Sequence, residues 1–78
     1  MVNLKETLTD IAKAIVDSPD EVHVTEVETD HEITFTLTVA PDDMGMVIGR
    51  HGKIAKAIRT VIKAAASSCN KRVNVDIR

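Results

Sequence analysis

The sequence predicts an α+β fold with three helices on one face of a three-stranded mixed sheet, in the order helix, strand, strand, helix, helix, strand. Three observations predict it. Leu4, Leu8, Ile11, Ala12 and Ile15 recur at helical spacing. The period then falls to two, first at Val22 and Val24 and then at Ile33, Phe35, Leu37 and Val39. Beyond a glycine-x-x-glycine turn, helical spacing returns and gives way to a last alternation at Val73, Val75 and Ile77. Helices separate the second strand from the third, so these two run parallel through a right-handed crossover. The first strand pairs antiparallel with the second through a hairpin. A chain of 78 residues buries only roughly 60% of its unfolded surface, so a single small domain over residues 1–78 with an economical core is expected.

Each element has a local reason. Asn3 followed by Glu6 is an Asx variant of a capping box, and starts a helix over about residues 3–17. Asp17-Ser18-Pro19-Asp20 stops it. The first strand covers about 21–28, and Thr29-Asp30-His31 turns the chain. In the second strand, Ile33, Phe35, Leu37 and Val39 face the core, while Thr34, Thr36 and Thr38 form the solvated side of the sheet. Ala40-Pro41 ends it, because the residue before a proline prefers extended geometry. Asp42 and Asp43 suit a helix start, and Met44, Val47 and Ile48 follow at i, i+3 and i+4 until Gly49. Gly45 sits inside this short helix at a cost of up to about 1 kcal/mol relative to alanine, and close approach of a ligand or strand would account for it. The third helix is expected over about residues 53–67, with Ile54, Ile58, Val61, Ile62 and Ala65 on one arc and Lys53, Lys56, Arg59, Thr60 and Lys63 on the other. Ala57, Thr60 and Ala64 border Val61, a small-residue strip that would admit a second copy. A turn at Ser68-Cys69-Asn70-Lys71 leads into the last strand.

The composition narrows the function. The net charge of −2 conceals a division: residues 1–48 carry two basic and eleven acidic residues, and residues 49–78 carry eight basic and one acidic. The sign changes at the glycine turn, and a basic region there is the footprint expected of phosphate binding. The lone Cys69 has no partner for an internal disulfide, and no apolar run spans a bilayer, so the cytoplasm is the expected location. His23, His31 and His51 lack paired ligand spacing for a metal. Nothing suggests an enzyme or a cofactor.

The most informative stretch is Val47-Ile48-Gly49-Arg50-His51-Gly52-Lys53. Gly49 ends one helix and Gly52 opens the next. The opening end carries unpaired N–H groups and a partial positive charge, to which Arg50, His51 and Lys53 add donors. Such a turn can hold a sugar-phosphate backbone, although an ordinary helix–turn–helix connection would also use two glycines. The basic helical face at Lys56 and Arg59 extends the turn into a phosphate track.

Inside this element order, Val47-Ile48-Gly49-Arg50-His51-Gly52 resembles the motif of a KH domain of the type II, prokaryotic arrangement, whose loop clamps about four nucleotides of single-stranded backbone. The run from Asp43 to Lys53, with Ile54-Ala55-Lys56-Ala57-Ile58-Arg59-Thr60 after it, is similar to the KhpA family of small stand-alone bacterial RNA-binding proteins. That resemblance covers essentially the whole chain. It implies an RNA chaperone or post-transcriptional regulator that self-associates and pairs with a second KH protein, KhpB, and a family link to cell-wall homeostasis and cell length. It also implies RNA contacts from Gly49, Arg50, His51, Gly52 and Lys53, with Met44, Gly45, Val47, Ile48 and Ile54 as floor or rim of a groove beneath the bases. Where many family members carry lysine this chain has His51, and a mostly neutral imidazole attracts phosphate less.

Phe35 is the only aromatic residue and is claimed by the core, so bases cannot be read by stacking on surface rings. An apolar groove and backbone hydrogen bonds must serve instead, with copies or partners raising avidity. The rival reading is a KH-fold interaction module, or complex subunit, whose partner makes most of the RNA contact.

Overall fold

In the computed structural model, which describes residues 3–67 and 70–78, the elements are α1 (Leu4–Ile15), β1 (His23–Glu28), β2 (Glu32–Thr38), α2 (Met44–Ile48), α3 (Lys53–Ala65) and β3 (Arg72–Ile77). This is the predicted order. The sheet runs β1-β2-β3, antiparallel between β1 and β2 and parallel between β2 and β3. Phe35 stands opposite Glu26 on one side and Val75 on the other.

The ends of the elements follow from single residues. The Asn3 side chain accepts the Glu6 N–H at 3.1 Å, so Asn3 caps α1 from outside. Val16 is already extended, and the helix stops at Ile15 rather than at 17. A 3₁₀ turn at Pro19–Glu21 delays β1 to His23. In the hairpin, the Thr29 hydroxyl accepts the Glu32 N–H at 3.1 Å while the Thr29 N–H donates to the Glu32 carbonyl at 2.7 Å. A second 3₁₀ turn, Pro41–Asp43, feeds α2. Cys69 and Ser68 lie outside the described residues.

The core fills the space between the helices and one sheet face. Leu8 and Ala12 of α1 meet Phe35 and Leu37 of β2, Val73 and Val75 of β3, and Ile58 and Ile62 of α3. Removing the Phe35 ring would cost about 3–5 kcal/mol. The other sheet face has no helix. Register places Thr25 beside Thr36 and Asp76, and Thr34 beside Val27 and Asn74, so the threonine row lies on the uncovered side. Val27 is 62% exposed there.

One expectation about packing is corrected and another is extended. In α3 the buried residues are Ala55, Ile58, Ile62 and the capping Ala66, leaving Ile54 and Val61 exposed. The buried arc is turned by roughly 60° from the one centred on the large aliphatic residues, counting 100° per residue. Asp43 also does more than favour a helix dipole. It is 3% exposed, and its carboxylate accepts the Ser18 N–H at 3.0 Å. That bond ties the exit of α1 to the entrance of α2. No helix among the described residues is long and apolar enough to cross a membrane.

Candidate nucleic-acid interface

The turn between α2 and α3 is a single 3₁₀ turn with three left-handed residues in or beside it: Gly49 (φ 74°), His51 (φ 57°) and Gly52 (φ 76°). Gly49 ends α2, with its N–H on the Gly45 carbonyl at 2.9 Å. Its ψ of 175° puts it in a region of backbone space open essentially to glycine alone. A Cβ there would also lie 2.8 Å from the Ile54 Cβ and 2.9 Å from the Ile54 nitrogen. Chain and side chain thus meet so closely that the first glycine is obligatory. Gly52 caps α3 in the left-handed conformation. The third left-handed residue, His51, was not anticipated; histidine is among the few non-glycine residues enriched there.

Gly52 offers no side chain to cap α3, so amides of its first turn are open to an anion at the positive end of the helix dipole. Arg50, His51, Lys53 and Lys56 are all exposed around that point. None of them is paired with a carboxylate among the described residues, where the only ion pairs are Lys71–Glu28 and Arg78–Asp76. The charges therefore remain available to a ligand.

Beyond the loop, α3 divides into three sides. Its core side has been described. Lys56, Arg59 and Lys63 occupy the side toward β3, and Ile54, Ala57, Val61 and Ala64 the opposite side, with Thr60 between them on the outer surface. Arg59 Nε donates to the Val75 carbonyl at 3.1 Å across the outer edge of β3. Two shallow grooves follow this α3–β3 seam. One, of about 480 Å³, is lined by Thr34, Arg59, Lys63, Asn74, Val75 and Asp76. The other, of about 380 Å³, is lined by Lys63, Ala66, Ser67, Lys71, Arg72, Val73 and Asn74.

The residues expected at the site fall into three groups. Gly49, Arg50, His51, Gly52, Lys53 and Lys56 come together at the loop, and Arg59 joins the seam. Gly45 and Ile48 are exposed on α2, with Ile54 exposed at the start of α3. A Cβ on Gly45 would meet nothing within 4 Å, so no intramolecular packing explains its missing side chain. Val47 is corrected: it is 0% exposed and belongs to the core, because the i+3 step from Met44 points it inward. It supports the loop from beneath. Lys63, Lys71, Arg72, Asn74 and Asp76 were missed as groove residues. The run of basic residues after Gly49 was the available signal, but only the parallel β2–β3 pairing brings β3 alongside α3. Among the described residues no group of three or more His, Cys, Asp or Glu could hold a metal ion.

A family model described as the KH domain of KhpA/KhpB matches residues 5–77. The chain belongs to the KhpA/KhpB KH-domain family. It is 61% identical over 74 residues to the RNA-binding protein KhpA of Clostridium acetobutylicum, covering 95% of this chain and 99% of that one. It is 55% identical to the RNA-binding protein KhpA of Clostridium perfringens over the same shares. Among solved structures, a crystal structure of an Aquifex aeolicus Era variant bound to GDP and aluminium fluoride aligns with a TM-score of 0.69 at 15% identity. It covers 95% of this chain and 29% of that one, and shows a shared fold.

Proposed function

We propose that this protein binds single-stranded RNA, gripping the sugar-phosphate backbone at Gly49-Arg50-His51-Gly52 and laying the bases along the α3–β3 seam. The observation that carries this reading is the loop itself: left-handed backbone at three positions, an uncapped helix start and unpaired cations in one place. The relatives' names as RNA-binding proteins support it. Lys53, Lys56 and Arg59 continue the phosphate track, while Gly45, Ile48 and Ile54 form an apolar rim.

The Ala57, Val61 and Ala64 side of α3, with Thr60 beside it, is the surface for self-association or for a second, KhpB-like KH protein. It lies away from the basic side, so RNA and partner can be held together. Residues 1–78 act as one KH domain in this reading. An RNA chaperone or post-transcriptional regulator working in the cytoplasm, with a bearing on cell-wall homeostasis and cell length, is the corresponding cellular role.

Fluorescence anisotropy with labelled single-stranded oligonucleotides across a salt series tests the molecular part. Affinity should fall linearly on a log–log plot, with a slope of about −0.7 per phosphate contacted. Failure of the pure protein, alone and with its KH partner, to take up RNA at low salt would refute it. Binding only in the presence of the partner would assign the RNA contact chiefly to that partner.

A further inference from the structure

Contacts to phosphate fix position and carry no base information, so any selectivity must come from groups placed to meet base edges. One arginine of the seam is held differently from the other exposed cations. Arg59 Nε is committed to the Val75 carbonyl, and the bond is part-buried. This fixes the plane of the guanidinium at the outer edge of β3 and leaves its Nη groups without a protein partner among the described residues. A fork held in advance loses little freedom on binding, unlike a lysine.

The next residue of β3, Asp76, lines the same groove with Thr34 and Asn74. Its Oδ2 accepts from Arg78 Nη2 at 3.2 Å, which offsets its charge and leaves lone pairs on both oxygens. A restrained pair of donors and a carboxylate therefore line the same groove.

Resting on the RNA reading above, we propose that Arg59 and Asp76 make the α3–β3 groove a guanine-selective subsite. Guanine offers the acceptors O6 and N7 on one edge, which match an arginine fork. It also offers the donors N1–H and N2–H₂ on the adjoining edge, which match a carboxylate that can only accept. Adenine and cytosine turn an exocyclic amino group toward the fork, and uracil has a single N–H for the carboxylate. The predicted order is guanine, then uracil, then adenine and cytosine. Arg59 here reads a base edge in addition to lending its charge to the track. The competing role, an arginine that merely covers the free edge of the sheet, would affect folding and leave base preference untouched.

Anisotropy titrations with 5′-labelled heptauridine and with heptamers carrying a single central guanosine, adenosine or cytidine test this. The guanosine heptamer should bind about tenfold more tightly than the adenosine one. Arg59→Lys keeps the charge and should bring that ratio to within about twofold. Asp76→Asn, at an exposed site, should reduce the ratio independently, which guards against a folding defect in the first variant. Wild-type binding of all four oligonucleotides within twofold would overturn the proposal and leave RNA binding intact. A full ratio retained in both variants would also overturn it. If no heptamer binds, the RNA reading itself fails and this one falls with it.

Discussion

The three glycines around the loop should respond to alanine in three different ways. At Gly49 the new Cβ meets Ile54 at 2.8 Å and its nitrogen at 2.9 Å, in a backbone region open essentially to glycine. The backbone term is about 1–3 kcal/mol, and forcing an extra carbon against packed atoms adds about 1–3 kcal/mol. At Gly52 only the left-handed φ of 76° objects, since nothing lies within 4 Å, and the cost is about 1–2 kcal/mol. At Gly45 there is neither clash nor positive φ, and alanine in a helix gains up to about 1 kcal/mol. A domain of this size has about 4–12 kcal/mol of stability in total, and each 1 kcal/mol moves the melting temperature by about 4–8 °C. Thermal unfolding followed by circular dichroism should therefore place Gly49→Ala at least about 8 °C below wild type. Gly52→Ala should lose about 4–16 °C, and Gly45→Ala should match or exceed wild type. A Gly49→Ala protein melting within about 2 °C of wild type, or a Gly45→Ala protein as damaged as Gly49→Ala, would refute the geometric argument. RNA titration of Gly45→Ala then asks a separate question: weakened binding by this well-folded variant would mean that ligand passes over that glycine.

The double variant Arg50→Asp with His51→Asp replaces exposed groups, so its melting should stay near wild type while RNA affinity drops at least tenfold in anisotropy; retained binding would move the grip elsewhere. Val61 is 49% exposed, so Val61→Asp should leave the monomer folded and abolish self-association in light scattering, and a dimer that persists would clear this side of α3. Asp43→Ala leaves the Ser18 N–H without its partner in a part-buried site, at a cost of about 1–3 kcal/mol. Urea unfolding should show a lower midpoint, and an unchanged one would mean that this tie contributes little.

The order of elements was legible from the chain alone, because period two and period 3.6 are local properties, and Asn3, Pro19, Pro41, Gly49 and Gly52 mark the breaks without help from distant residues. The parallel pairing of β2 with β3 was equally legible, since two intervening helices leave no other short connection. The glycine-bracketed loop and its basic surroundings followed for the same reason. What the tertiary structure decided is which part of each apolar stripe is covered. Helical spacing draws a stripe but does not say which part of it is covered, and in α3 packing buries Ala55 and Ala66 rather than Ile54 and Val61. Val47 disappeared beneath the loop by the same kind of packing choice. Asp43 could not be matched to Ser18, nor Arg59 to Val75, because each bond joins residues far apart in the chain that meet only once the layers have closed.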